Sequence, residues 1–186
     1  MQVTQTLHTA LETIRRGGIL AYPTEAVFGL GCDPANTHAV QRLLALKQRP
    51  ADKGLILIAA DLAQLSDYLQ PLNNELRERV QATWPEPITW LLPVKPEVSP
   101  LIRGYHDSLA VRVSTHPVCH ELCTQLGHPL ISSSANLAEQ APARDLISLQ
   151  TYFGQQLDCI LDLPLGGRDK PSEIRDARTG EIIRPA

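Results

Sequence analysis

Two short polar segments of this chain carry groups that could hold a polyphosphate. Lys47-Gln48-Arg49 follows an apolar helical run, and Ser132-Ser133-Ser134-Ala135-Asn136 follows an apolar strand. Cations, hydroxyls, an amide and closely spaced backbone N–H groups at a strand end are the groups that bind phosphate oxygens. Each segment alone is more often a solvated loop or a turn. Together they indicate a nucleotide-phosphate site.

A buried cation and a loop hydroxyl are further candidates. Arg112 stands between Val111 and Val113 in an apolar strand, where a guanidinium is costly to bury without an anion. That anion is either a substrate or an acidic residue in a structural ion pair, and both alternatives stay open. Thr24 lies in a loop after Pro23 and before two glycines, so its hydroxyl can point into a cleft.

Composition limits the classes of function. The 186 residues are 43% hydrophobic, and we expect a single domain over 1–186. With 17 basic and 20 acidic residues the net charge is −3, so no global positive field attracts nucleic acid or an anionic membrane. No apolar stretch is long enough to span a bilayer and the N-terminus is not that of a secreted protein. The predicted location is the cytoplasm, with no membrane partner.

The cysteines predict neither a disulfide nor a metal site. Cys32, Cys119, Cys123 and Cys159 show no Cys-x-x-Cys pair, which favours reduced thiols. His116, Cys119, His120 and Cys123 share one helical face, but they spread over two turns and cannot easily surround one tetrahedral ion. We expect no protein-bound metal.

Helical and strand patterns alternate along the chain and predict an α/β fold with a mixed sheet. Apolar periodicity and capping residues predict helices over 4–16, 37–47, 61–69, 73–83, 117–126 and 144–153. Apolar runs predict strands over 19–22, 55–60, 88–92, 108–113, 129–131, 159–163, 172–174 and 181–184, the last two forming a hairpin. The Ser-rich segment after 129–131 is predicted as a turn beside a central strand, where open sheets place ligands.

Five motifs in a fixed order resemble the YrdC-like family over nearly the whole chain. They are Pro23-Thr24-Glu25, Lys47-Gln48-Arg49, Ala110-Val111-Arg112, Ser134-Ala135-Asn136, and Pro171-Ser172-Glu173-Ile174-Arg175-Asp176. The chain is most similar to the single-domain bacterial members of that family. The resemblance implies a YrdC/RibB-like fold, a twisted mixed sheet flanked by helices with an open, positively lined cleft.

The resemblance also implies an activity, that of a nucleotidyltransferase acting as a threonylcarbamoyl-AMP synthase. Such an enzyme condenses L-threonine, bicarbonate or CO₂, and ATP into threonylcarbamoyl-adenylate and pyrophosphate, for threonylcarbamoyladenosine modification of tRNAs that read ANN codons. Mg²⁺ is expected to bind mainly through the nucleotide. Separate tRNA threonylcarbamoyl transferase proteins would consume the product, and weak binding of tRNA or double-stranded RNA is a further expectation.

Site residues follow from the same resemblance. The implied catalytic residues are Lys47, Arg49, Ser134 and Asn136. The ATP-binding set adds Lys53 and Arg184, and the threonine- and bicarbonate-binding set is Thr24, Arg112, Ser132 and Ser172. One departure stands out, because Glu86 in Trp84-Pro85-Glu86-Pro87 replaces a glycine that the family usually has, near the contact expected of Thr89.

There are two rival hypotheses, one from a different class of function and one a second enzyme activity. A non-catalytic module that binds tRNA or double-stranded RNA would use the same cations, but the acidic balance and the 4% aromatic content provide little for it. A relative on the same fold could also transfer a carbamoyl or acyl group to another amino acid or amine.

Overall fold

Ten short strands in the computed structural model form one mixed sheet. The model describes residues 1–84, 86–137 and 140–186, so Pro85 of the Trp84–Pro87 segment lies outside the described residues. The strands are β1 (Gln2–Thr4), β2 (Leu20–Pro23), β3 (Phe28–Gly31), β4 (Ile56–Ala59), β5 (Ile88–Pro93), β6 (Ser108–Val113), β7 (Leu130–Ser134), β8 (Cys159–Leu161), β9 (Glu173–Asp176) and β10 (Ile182–Arg184). Their order is β1-β8-β2-β3-β7-β4-β6-β5-β9-β10. The mixed sheet, the central position of β7 and the β9–β10 hairpin are confirmed.

The helices of the described residues begin and end largely where caps predict. They are α1 (Leu7–Arg15), α2 (Thr37–Leu46), α3 (Asn74–Gln81), α4 (Pro100–Arg103), α5 (Pro117–Leu126) and α6 (Leu146–Phe153). Asn36, Asn73 and Asp145 each accept a hydrogen bond from a backbone N–H of the first turn that follows, which satisfies a donor the helix leaves free. Gly127 ends α5 in the left-handed conformation, as helix C-termini favour.

Apolar side chains on the two faces of the sheet form two cores. One core packs α1 and α5 against Leu20, Tyr22 and Ile58. The other packs α2 and α6 against strand residues of opposite parity, such as Ala21, Leu57 and Val111, together with Trp90. Because successive residues of a strand point to opposite faces, the central strands contribute buried side chains to both cores.

Two sequence-based assignments were wrong. Residues 61–69 form only a short 3₁₀ turn over Ala63–Leu65, although Asp61 does accept from the N–H of Gln64. The backbone beyond that turn pairs with β5 and its C-terminal extension instead, since Leu69 forms a bridge with Val94 and the N–H of Gln70 donates to the Pro93 carbonyl. The Ser-rich segment is likewise strand up to Ser134, because β7 pairs there with β3.

Three further elements, β1, β3 and α4, were not predicted from the sequence. Each is short, and β3 contains Gly29 and Gly31, residues with low strand propensity. Gly31 lies so close to β7 that an added Cβ would be 2.4 Å from the Ile131 carbonyl oxygen. Close approach of neighbouring backbone, which local pattern does not encode, therefore determines this strand.

Among the described residues, no helix is long and apolar enough to cross a bilayer.

Candidate functional site

A cavity of about 240 Å³ opens on the sheet face that α5 covers only in part. Ile58 and Leu130 pack against α1 and α5 in the core of that face. Further along the same strands and their neighbours, Ile56, Ser132, Arg112 and Thr89 line the cavity. On β7 this face changes from apolar Leu130 to Ser132, and across the sheet it changes from Ile58 on β4 to Arg112, its direct neighbour on β6. The polar side chains therefore lie beside the apolar core on the same face.

Lys47 lies beneath one end of this cavity. It caps the C-terminus of α2 and is 5% exposed. Its ammonium group donates to the carbonyl oxygens of Ser134 and Asn136, the latter at 2.9 Å. Burial and the nearby charge of Arg49 lower the pKa of Lys47 to about 8. The lysine therefore fixes the Ser134–Asn136 loop while it carries a charge that titrates near neutral pH.

The turn between Lys47 and Arg49 has an unusual backbone. Gln48 has φ +50°, and it is the only non-glycine residue of the described chain with a positive φ. The N–H of Gln48 donates to the Ala45 carbonyl and the N–H of Arg49 to the Leu44 carbonyl, both at 3.0 Å. These bonds make a Schellman motif in which glycine is the usual residue. The motif directs Lys47 under the loop and Arg49 into the cavity.

Arg49 and Arg184 bring guanidinium groups to the cavity. Arg49 donates to the carbonyl oxygen of Gly54 through Nε at 3.1 Å and Nη2 at 3.0 Å. Arg184 donates to the Ser172 carbonyl at 2.6 Å. Partial burial, followed by the like charges of Arg112 and Arg49, lowers the pKa of Arg184. We name this group, Lys47, Arg49, Ser134, Asn136 and Arg184, the cationic end.

The Ser134–Asn136 loop adds hydroxyl and amide groups to the cationic end. Ser134 is exposed and its hydroxyl donates to Asn136 Oδ1 at 2.6 Å. The Asn136 amide nitrogen donates to the Leu137 carbonyl at 2.8 Å. Both residues line the cavity. Since the loop is held from below by Lys47, its polar groups are positioned before any ligand arrives.

The cavity also contains a buried ion pair. Arg112, 6% exposed, has its Nη1 atom 3.1 Å from Oε2 of Glu25. The other carboxylate oxygen of Glu25 accepts from the Ser114 hydroxyl at 2.8 Å. Burial raises the pKa of Glu25, but the charge of Arg112 and hydrogen bonds from its own backbone and Ser114 lower it further, so the net shift is downward. Burial also lowers the pKa of His116, which lies beside this pair.

Hydroxyl groups surround the ion pair. Thr24 is buried and its hydroxyl donates to the Val27 carbonyl at 2.7 Å. Thr89, fully buried, shares a 2.9 Å hydrogen bond with Ser172 across β5 and the start of β9. Glu86 has no left-handed φ, so its replacement of glycine does not strain the loop before Thr89. We name Thr24, Glu25, Thr89, Arg112, Ser132 and Ser172 the paired end.

The structure brings most of the predicted site residues together. Those that line the cavity are Thr24, Arg49, Arg112, Ser132, Ser134, Asn136, Ser172 and Arg184. Lys47 is not among the described lining residues, since it lies directly below the loop, and the exposed side chain of Lys53 also lies outside the lining. The sequence left open whether the anion beside Arg112 is an acidic residue or a substrate. Arg112 pairs with Glu25 and also lines the cavity, so the structure is compatible with both.

Two charged lining residues, Glu25 and Lys170, were missed by sequence reasoning about the site. Glu25 belongs to the Pro23-Thr24-Glu25 motif, so its position next to Thr24 was the available signal. Lys170 precedes the Pro171-Ser172 motif in the same way. Neither the ion pair of Glu25 nor the fold of the 165–171 segment over it follows from local pattern, because both depend on contacts far apart in sequence.

Comparison with known proteins places this cavity in a family. A family model for Sua5, YciO and YrdC proteins, described as telomere recombination, matches residues 12–186. The chain belongs to this family. Among curated Sua5/YciO/YrdC relatives, the threonylcarbamoyl-AMP synthase of Nitrosococcus oceani is 53% identical over 175 residues, which cover 94% of this chain and 95% of the relative. That of Pseudomonas aeruginosa strain PAO1 is 52% identical over 177 residues, covering 95% of both.

Solved structures of the Sua5/YciO/YrdC family have the same fold. P. abyssi Sua5 complexed with L-threonine matches with a TM-score of 0.85 and 28% identity, covering 94% of this chain and 53% of that one. The chain thus spans about half the length of that Sua5. E. coli YciO matches with a TM-score of 0.82 and covers 98% of this chain and 92% of its own, but at 24% identity it shows the fold alone. The predicted family and fold class are confirmed.

Proposed function

We propose that this protein is a threonylcarbamoyl-AMP synthase, which joins L-threonine, bicarbonate or CO₂, and ATP into threonylcarbamoyl-adenylate and releases pyrophosphate. The observation that carries the proposal is that one cavity is lined both by cations outside any ion pair of the described residues, the cationic end, and by the buried Glu25–Arg112 pair with its hydroxyl groups, the paired end. Curated relatives of about this length, identical at half their positions, are threonylcarbamoyl-AMP synthases. This agrees with the activity that the motifs predicted.

The cationic end suits the triphosphate of ATP. Arg49 and Arg184 offer planar forks that match phosphate oxygens, and backbone carbonyls, not carboxylates, hold them. Their charge is therefore left for an anion. Ser134 and Asn136 would contact the nucleotide phosphates from the end of β7, and the Lys47 charge below the loop adds to the attraction. Lys53 is the outermost member of the proposed ATP-binding set.

The paired end suits threonine and the one-carbon substrate. Thr24, Ser132 and Ser172 supply hydroxyl groups and Arg112 supplies a cation for carboxylate or bicarbonate. The threonine amine would attack the carbon of CO₂, forming the C–N bond and releasing a proton. A carboxylate oxygen of the resulting N-carboxy-threonine would then attack the α-phosphorus of ATP, and pyrophosphate would leave. No protein nucleophile takes part, so positioning and charge neutralisation perform the catalysis.

Mg²⁺ would enter with the nucleotide. The described residues contain no group of three or more His, Cys, Asp or Glu side chains that could hold a metal ion, and the donors at the cationic end are hydroxyl and amide groups. Such a donor set fits an ion that phosphates and water coordinate. When bound, the ion would neutralise phosphate charge and so help pyrophosphate to leave.

The product would be consumed by a group-transfer reaction. A threonylcarbamoyl-adenylate is a mixed anhydride, so a transferase must pass its acyl group to an amine, which we propose is the adenosine of tRNAs that read ANN codons. That role places the protein in the cytoplasm with tRNA threonylcarbamoyl transferase partners. Weak direct binding of tRNA or double-stranded RNA would be local to the cationic end, because the net charge of the chain is −3.

Substrate omission tests the proposal. Labelled ATP, Mg²⁺ and bicarbonate are incubated with the protein with and without L-threonine, and adenylate and pyrophosphate are separated and measured. We expect pyrophosphate release that requires threonine, and we expect Ser134→Ala to abolish it. Ser99→Ala should keep the wild-type rate, because Ser99 is a matched serine that caps α4 away from the cavity. Intact ATP together with tight, salt-sensitive tRNA binding would instead favour the RNA-binding hypothesis.

A further inference from the structure

The cavity has one negative side chain among many positive ones. Arg49, Arg112, Lys170 and Arg184 line it, and Glu25 is the only carboxylate among the described lining residues. ATP, bicarbonate and the carboxylate of an amino acid are all anions and find partners among these cations. The one cationic group of the proposed substrates is the α-ammonium of threonine. Its natural partner in this cavity is Glu25.

Glu25 is held rigidly enough to act as such a partner. Its Oε1 atom accepts from the Ser114 hydroxyl, and its backbone carbonyl accepts from the N–H of Arg168 at 2.8 Å. Gly166 approaches so closely that an added Cβ would be 2.9 Å from the Glu25 Cα. With its side chain 16% exposed, the carboxylate has little freedom to lose when a ligand binds.

The ion pair leaves one acceptor atom and one donor atom without a hydrogen bond. Oε2 of Glu25 and Nε of Arg112 are both buried, and neither has a hydrogen-bond partner among the described residues. Buried polar atoms are ordinarily paired. Oε2 faces Nη1 of Arg112 at 3.1 Å as an ion pair but forms no hydrogen bond with it, and Nε of Arg112 is a donor without an acceptor. An amino-acid zwitterion carries a donor and an acceptor on adjacent atoms, its ammonium and its carboxylate.

We propose that Glu25 binds the α-ammonium of the amino-acid substrate through Oε2 while Arg112 binds its α-carboxylate, the ligand replacing the direct contact between the two side chains. This inference rests on the proposed function and adds to it a residue that recognises the amino group. After the amine has become a carbamate, its remaining N–H still donates to Oε2. Glu25 therefore holds the same nitrogen before and after the C–N bond forms.

Ligands that differ only at the α-position test the role of Glu25. L-Threonine is compared with 2,3-dihydroxybutanoate of matching configuration, which has a hydroxyl where threonine has its ammonium. Affinity is measured by calorimetry at a fixed ATP concentration. We expect the wild-type protein to favour threonine about 30-fold or more, and Glu25→Gln, which keeps the size of the side chain and removes its charge, to lower that preference to about threefold or less.

A matched control separates recognition from structure. Glu173 also pairs with an arginine, Arg175, yet neither lines the cavity, so Glu173→Gln should keep the wild-type preference. In Glu25→Gln the KM for threonine should rise at least tenfold while the KM for ATP stays within about twofold. An unchanged threonine preference in Glu25→Gln would overturn the inference. Equal affinity of the wild-type protein for threonine and 2,3-dihydroxybutanoate would overturn it as well, without any variant.

Failure of the inference is distinguishable from failure of the proposed function. Threonine-dependent pyrophosphate release by the wild-type protein is measured on the same preparation. If that release is absent, the proposed function fails whatever Glu25→Gln does. If it is present and Glu25→Gln retains both its KM for threonine and its preference for the ammonium ligand, the function stands and the role of Glu25 is rejected.

Discussion

The cations of the cationic end and of the paired end have different partners. At the cationic end Lys47, Arg49 and Arg184 donate to backbone carbonyls, so their charges are oriented but not neutralised. At the paired end Arg112 faces the Glu25 carboxylate at 3.1 Å. Uncompensated cations attract a polyanion, whereas a neutral pair with unmet hydrogen bonds suits a zwitterion. Charge balance, more than the number of arginines, thus distinguishes the two halves of one site.

The largest expected effect comes from breaking the paired end. Arg112→Met leaves the Glu25 carboxylate buried without its partner, and we expect the free energy of unfolding, measured by urea denaturation, to fall by about 3–5 kcal/mol. Arg175→Met breaks the more exposed Glu173–Arg175 pair and should cost about 1 kcal/mol or less. Equal losses in the two variants would show that the Glu25–Arg112 pair is not a buried, coupled unit. Adding Glu25→Gln to Arg112→Met should recover most of the stability.

A substitution at the cationic end should affect catalysis and spare stability. Arg49→Ala removes an uncompensated charge, so we expect kcat/KM for ATP to fall about 100-fold or more while the KM for threonine stays within about twofold. Lys53 is exposed and lies outside the cavity lining, so Lys53→Ala should lower kcat/KM for ATP by less than about tenfold. Steady-state kinetics with each substrate varied in turn measures both. A larger change in the KM for threonine than in that for ATP would contradict the division of the cavity.

The pH dependence of ATP affinity sharpens the same contrast. The pKa of Lys47 is lowered from 10.5 to about 8, so the lysine is charged below about pH 8 and loses its charge above it. We expect ATP affinity, measured by calorimetry, to fall by at most about tenfold per pH unit above 8, and Lys47→Arg to flatten the decline. Affinity in the wild-type protein that stays constant to pH 9 would rule out a role for this charge.

The same titration acts on stability with the opposite sign. Between about pH 8 and 10.5 the unfolded chain holds a proton on Lys47 that the folded protein has released. The contribution of Lys47 to the free energy of unfolding therefore rises with pH across this interval.

The smallest expected effect concerns the backbone that orients the cationic end. Gln48 has φ +50°, a conformation that glycine adopts without steric cost. Gln48→Gly should raise the free energy of unfolding by about 0.5–1 kcal/mol and leave ATP affinity unchanged. Gly127→Gln is the reciprocal control, since Gly127 has φ +76° with nothing within 4 Å of an added Cβ, and it should lower stability by about 1 kcal/mol. The strain argument would be contradicted if urea denaturation showed that the two variants change the free energy of unfolding in the same direction.

Features governed by local chemistry were predictable from the sequence. Apolar periodicity located α2, the Asn73 cap located the start of α3, and Gly127 marked the end of α5. Alternating apolar runs identified β5 and β6. The helix expected over 61–69 failed because its backbone pairs with β5 and the chain that follows it, a contact between segments well apart in sequence. Local residue pattern does not predict whether a segment forms a helix or pairs with a distant strand.

The site shows the same division. The order of the five motifs determined the family, the fold class and the expectation that Lys47, Arg49, Ser134 and Asn136 act together. The same sequence presented Arg112 with two possible anions and gave no reason to choose between them. Only the tertiary structure decided that Glu25 is its partner, that both line the cavity, and that Lys47 lies below the loop it was expected to accompany. The physical reason is that a motif fixes which groups are available, whereas the strand order β2-β3-β7-β4-β6 and the path of the β2–β3 loop, which contains Glu25, fix which charges meet.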